Sequence, residues 1–207
     1  MARQQQFKFR TWGGRRAGSG RKPRGKTAGV AHAPRPVFAR TRPVHVTFRF
    51  DKRVWNLRRK AYRTVERALG DGANRFGARI LRFSVQGNHL HMLIEADDGD
   101  ALVRSCRGLS IRIAKRLNKL MGRSGRVLGD RYHTRVLRTP TEVKRAIEYI
   151  RDNYKKHYHP DAKYAFIDPC SSDSPDLRIV LPTATSWLAK TGWHRARPPS
   201  GAGAAPQ

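Results

Sequence analysis

One nine-residue run does most to restrict what this chain can fold into: Gly87-Asn88-His89-Leu90-His91-Met92-Leu93-Ile94-Glu95. Neighbouring side chains of an extended strand point to opposite faces, so Leu90, Met92 and Ile94 can enter a core while His89 and His91 stand together on the other face. Alternation of this kind belongs in a sheet with a packed side. Two adjacent imidazoles are either a divalent-metal grip or ordinary polar residues on a wet surface. Glu95, farther along the same face, reads as a surface charge.

The flanking sequence supplies the rest of an α+β unit. Val44 to Phe50 alternates apolar and polar residues as a half-buried strand does. Asp51 is placed to cap a helix reaching about Leu69, with Val54, Leu57, Ala61, Val65 and Ala68 on one face. Gly70-Asp71-Gly72 ends it. A strand from Arg79 to Val85 joins the histidine strand through the tight Gln86-Gly87-Asn88 turn. From Asp100 to Met121, the positions Leu102, Cys106, Leu109, Ile113, Leu117 and Leu120 trace a second amphipathic helix. Tyr132 to Leu137 reads as a fourth strand, and Thr139-Pro140-Thr141-Glu142 is a capping box with proline at the first helical position. The order β-α-β-β-α-β predicts a ferredoxin-like antiparallel sheet with two helices on one face, followed by an appended helix.

Beyond that helix, residues 159–207 read as a loop-rich tail. Ser186-Trp187-Leu188-Ala189-Lys190 is a short segment able to bring Trp187 and Trp193 back onto the domain, and 198–207 are expected to be disordered. His157-Tyr158-His159 repeats the two-residue histidine spacing, but Pro160 follows and the segment reads as loop.

Charge enters the argument through the partner. The 207 residues include 44 Lys or Arg against 15 Asp or Glu, a net charge of +29. Such a balance calls for a polyanion, and nucleic acid, which rewards phosphate neutralisation by releasing counterions, comes first. No run approaches a transmembrane span and no signal-peptide pattern is present, so a soluble cytoplasmic, nucleoid-associated protein is expected. Residues 1–43 hold many Lys and Arg, repeated Gly and Pro, and no acid. They read as a mobile basic arm in which Arg15, Arg16, Arg21, Lys22 and Arg24 meet DNA, or else as a solubilising tail. The folded domain is expected over 44–158. Cys106 falls in an apolar helical pattern and Cys170 in a polar loop, a pairing that argues against a disulfide and against a cysteine zinc site.

The second half of a site lies in Tyr149-Ile150-Arg151-Asp152-Asn153, where residues four apart share a helix face. Tyr149 is either a core aromatic beside Ile147 and Ile150 or a nucleophile projecting with the Asn153 carboxamide. Asn88-His89-Leu90-His91-Met92-Leu93-Ile94 resembles the histidine signature of the single-tyrosine HUH transposases, and Tyr149 with Asn153 resembles their nucleophile motif. Together with the basic arm, the chain is most similar to the REP-associated tyrosine transposases. Gly87 stands where that family often has proline, Tyr154 where it commonly has proline after Asn, and Asn153 matches this branch better than the insertion-sequence branch with its usual Gln. Tyr154 thereby becomes a second possible nucleophile.

The resemblance implies that His89, His91 and Asn153 hold Mg2+ or Mn2+ against a scissile phosphate. It implies that Tyr149 attacks, leaving a 5′-phosphotyrosine and a free 3′-hydroxyl, on single-stranded or hairpin DNA of repetitive palindromic elements. Arg112, Lys115 and Arg116 on the second helix, with Arg131, are candidates for a DNA track, although a solvated helix face would look the same. A non-catalytic basic DNA- or RNA-binding protein that kept the fold is the alternative.

Overall fold

The structure, a computed structural model, describes residues 35–158 and 167–196, with the backbone alone for 156–158. The arm residues Arg15, Arg16, Arg21, Lys22 and Arg24 lie outside it. Strand β1 (Arg42–Arg49) leads through a π-helical turn at Leu57–Ala61 into helix α1 (Tyr62–Gly72). Then come β2 (Asn74–Arg75), β3 (Ala78–Val85), β4 (His89–Ala96), α2 (Gly99–Leu120), β5 (His133–Val136), α3 (Pro140–Tyr158) and a short α4 (Trp187–Lys190). The sheet order is β2-β3-β4-β1-β5. Without the two-residue β2, its four main strands take the ferredoxin-like order, with antiparallel pairing throughout. No helix among the described residues is long and apolar enough to cross a membrane.

Parity along the strands divides the sheet into two chemically different faces. Val44, Val46 and Phe48 of β1 and Leu90, Met92 and Ile94 of β4 are fully buried against Val65, Leu69, Cys106, Leu109 and Ile113 of α1 and α2. The opposite face carries a smaller core in which Leu93 meets Leu137, Val143, Ala146, Ile147 and Ile150, with Leu188 of α4 beside them. Helix α3 therefore covers the histidine face. Its start is the expected capping box: Thr139 Oγ1 accepts from the Glu142 amide at 3.2 Å, and Glu142 Oε2 accepts from the Thr139 amide at 3.2 Å.

A β-bulge in β3 decides which of its residues reach the histidine face. The register against β4 shifts between Ile80 and Arg82, so Ile80 faces the large core but so do Phe83 and Val85. An inserted residue exchanges the faces of everything beyond it. Ser84 consequently lies opposite His91.

Several expectations are corrected here. Asp51 does not cap a helix; its carboxylate bonds Arg53, and the helical run begins at Asn56, whose Oδ1 accepts from the amides of Arg58 and Arg59. The two-residue β2 was not foreseen. It joins β3 through Phe76 and Gly77, both at positive φ (58° and 75°), the backbone of a primed turn. Arg35, ahead of β1, packs on the domain: its guanidinium lies 3.7 Å from the Tyr132 ring centre and donates to the Tyr132 carbonyl. His157 and Tyr158 continue α3 instead of forming a loop. Cys170 is buried, as Cys106 is, and both are free thiols.

Glu95 is not a surface charge. It is fully buried, because the tail folds over its end of the histidine face. Its carboxylate accepts from Arg79 Nε at 2.9 Å, from the Thr185 amide and hydroxyl at 2.8 and 2.7 Å, and from the Ser186 amide at 2.7 Å. Burial alone would raise its pKa, but the hydrogen bonds from Ser186 and Thr185 outweigh that and bring it from 4.5 to about 2. The folded value lies below the unfolded one, so the stabilisation is complete above about pH 4.5 and is lost as pH falls towards 2. Glu95→Ala should cost about 3–5 kcal/mol in urea unfolding, by stranding the tail amides and leaving Arg79 with Asp97 as its carboxylate partner. The loss of stability on acidification over that pH range should also be weaker in the variant.

Candidate active site

Helix α3 lays Tyr149 and Asn153 over the end of β4 that carries the histidines. His89, His91, Tyr149 and Asn153 line one cleft of about 650 Å3. The Tyr149 ring meets His91 edge-on at 5.2 Å between centroids and His45 at 5.6 Å, while His89 and His91 lie nearly parallel at 6.2 Å. Tyr149 is 45% exposed, so it is not a core aromatic, whereas its neighbours Ile147 and Ile150 are buried core residues. Tyr154 occupies a different place, with the Arg58 guanidinium 3.9 Å above its ring.

Hydrogen bonds orient the imidazoles. Asn88 Oδ1 lies 2.7 Å from His89 Nδ1. A carboxamide oxygen only accepts, so Nδ1 carries the proton and the ring lone pair is on Nε2, an assignment made from the partner. His91 Nδ1 lies 3.1 Å from Thr47 Oγ1, directly across the β1–β4 pair. A hydroxyl can accept there, which permits the same tautomer. Burial, reinforced by the positive charge of Arg135, lowers the pKa of His45 below its ordinary value.

Among the described residues, no group of three or more His, Cys, Asp or Glu is placed to hold a metal ion. Any cation site here needs oxygen from another source, and two amides lining the cleft have it. Asn153 is 3% exposed, and its Oδ1 is buried with no hydrogen-bond partner. Gln86 is 5% exposed, and its Oε1 is in the same condition. A buried acceptor left unpaired costs about 1–3 kcal/mol, and such groups point to a ligand, water or ion. Neutral imidazole and amide oxygen without thiolate suit a hard divalent cation, so the residues present fit Mg2+ or Mn2+.

The cleft also takes in residues that carry no site signature in the sequence: Thr47, His133 and, above all, Gln86. Thr47 and His133 face each other across the β1–β5 pair, a register that local sequence does not specify. Gln86 was visible only as a turn residue. Other candidates lie elsewhere. Arg112, Lys115 and Arg116 belong to α2, which packs on the opposite face of the sheet, and Arg116 is paired with Asp71 of α1. Arg131 lies just before β5.

No family profile and no curated protein matches this chain. Among solved structures it is similar to a REP-associated tyrosine transposase bound to a REP hairpin, with a TM-score of 0.52 and 18% identity over 62% of this chain and 75% of that one. A candidate transposase from Deinococcus radiodurans matches with a TM-score of 0.42 and 16% identity, over 54% of this chain and 92% of that one. The first similarity establishes a shared fold.

The orphaned oxygen of Asn153 yields a stability test. Replacing a buried, unpaired amide by an apolar group of similar size removes a desolvation cost. Asn153→Leu should therefore leave the urea midpoint unchanged or raise it, with a gain in unfolding free energy of up to about 1–3 kcal/mol. A clear fall in the midpoint would mean that the amide is a structural contact after all.

Proposed function

We propose that this chain, which shares the fold of a REP-associated tyrosine transposase, cleaves and rejoins DNA with Tyr149 as the nucleophile. The observation that carries the reading is the convergence of His89, His91, Tyr149 and the unpartnered Asn153 oxygen in one cleft. The substrate is single-stranded or hairpin-forming DNA, a class suggested by the hairpin bound to the similar transposase. A scissile phosphate has to be splayed out of a stack to reach a tyrosine in a cleft. The net charge of +29 supports a polyanionic partner.

In this reading the Tyr149 oxygen forms a bond to phosphorus as the bond from phosphorus to the 3′-oxygen breaks. A 5′-phosphotyrosine and a free 3′-hydroxyl result: the phenolic proton passes to solvent and solvent returns one to the departing 3′-oxygen, so no net proton is released. Attack by a DNA 3′-hydroxyl reverses the step and restores the tyrosine. One phosphodiester is exchanged for another throughout, so rejoining needs no nucleotide cofactor. His89 and His91, through Nε2, and Asn153, through Oδ1, would hold Mg2+ or Mn2+, which supplies charge withdrawal from a non-bridging phosphate oxygen. Asn88 and Thr47 fix the imidazole orientations, and α3 fixes the tyrosine above them.

A suicide oligonucleotide carrying a hairpin should give a covalent protein–DNA adduct on a denaturing gel. Tyr149→Phe should abolish it while hairpin affinity stays within about 1 kcal/mol, since one hydroxyl is lost. An adduct mapped to Tyr154, or no adduct with any hairpin substrate, would sink the assignment. The second outcome would favour a non-catalytic binder.

His89→Ala should remove cleavage and weaken Mn2+ binding while the circular dichroism spectrum is retained, because the side chain is outside both cores. Excess chelator should reproduce the loss of cleavage in the wild type. Cleavage that persisted in chelator would rule out the metal assignment.

A further inference from the structure

We propose that Gln86 is a further oxygen ligand of the divalent cation in this cleft, aimed by Asp168 through Ser84; the proposal rests on reading the site as metal-binding. Gln86 stands next to His89 across the hairpin, its backbone N–H donating to the His89 carbonyl at 2.8 Å, and both residues line the cleft. Its orientation follows from a chain of hydrogen bonds with a fixed direction. Asp168, paired with Arg58 at 2.6 Å, presents a carboxylate that accepts and does not donate. Ser84 Oγ lies 2.8 Å from Asp168 Oδ2 and must give its proton there. What remains to Ser84 is a lone pair, and it accepts from Gln86 Nε2 at 2.6 Å. The amide cannot be turned over without placing two acceptors together, so Oε1 is the end left without a partner.

The cleft thus has a second amide oxygen in the same condition as that of Asn153: buried, unpaired and beside the two imidazoles. A hard cation satisfies oxygens of this kind, and rigidly oriented ones lose least on binding it. Ser84 and Asp168 are then positioning residues. The tail supplies Asp168, and the β-bulge of β3 puts Ser84 and Gln86 on the histidine face.

The test is Mn2+ binding to the DNA-free full chain, followed by the loss of the free-ion paramagnetic resonance signal, with urea midpoints measured alongside. Gln86→Leu should weaken Mn2+ binding about tenfold or more, the scale on which residues around a metal site act. Gln86→Met, which keeps the volume and offers only a soft thioether, should do the same and serves if the leucine variant folds poorly. Ser84→Ala should weaken binding several-fold in the wild type but have no further effect in the Gln86→Leu background, because it acts through Gln86. A merely structural serine would give the same change in both. Unchanged Mn2+ affinity in the Gln86 variants, with His89→Ala abolishing binding, overturns the proposal and leaves the metal reading standing. No Mn2+ binding by the wild type overturns both.

Discussion

Leu93 is the residue around which the cleft is organised. It is the apolar member of a strand face otherwise made of His89, His91 and Glu95, and it is 1% exposed. Burying a leucine side chain contributes about 1.5–3 kcal/mol, and here the burial is achieved by docking α3 across the sheet. Ile147 and Ile150 point down onto it. Tyr149, between them in sequence, is turned by helical geometry towards the histidines and the solvent. The distance from tyrosine to imidazole is therefore a consequence of apolar packing one turn away.

The tail holds the other side of that arrangement. Glu95 ties down Thr185 and Ser186, and from there α4 brings Leu188 into the Leu93 core. At the far end of β3, the Cys170 carbonyl accepts from the Val85 amide and the Ser172 amide donates to the Phe83 carbonyl, which closes an edge that would otherwise be open to another strand. Asp168, in the same segment, meets Arg58, the Cys170 amide and Ser84. Two buried carboxylates, one on a strand and one in the tail, thus bracket the histidine face.

Charge is distributed unevenly with respect to this site. The cleft is walled by imidazoles, amides and hydroxyls, whereas Arg112, Lys115 and Arg116 sit on α2 beyond the sheet. A polyanion lying in the cleft cannot reach those three without passing around an edge of the domain. Closer to Tyr149 are Arg135 and Arg145, which share a smaller recess with His45 and Glu142. Arg135 is paired there with Glu142 at 3.2 Å, the residue that also completes the helix cap.

The sequence by itself determined most of the elements and the faces on which the candidate residues stand. Alternation over His89–Glu95 dictates a strand with the histidines on one face, the Thr139–Glu142 box dictates where α3 begins, and the spacing from Tyr149 to Asn153 puts both on one side of it. These are local rules, written in periods of two and 3.6 residues. Tertiary structure decided what no local period encodes. Glu95 looked exposed because the tail residues that cover and bond it lie about ninety residues away, in a segment with little pattern of its own. Gln86 looked like a turn residue because one inserted residue in β3 sets its face, and the serine and aspartate that orient it come from a neighbouring strand position and a distant loop. Burial and hydrogen-bond satisfaction belong to a position in space, and the chain acquires that position only once α3 and the tail have closed over the sheet.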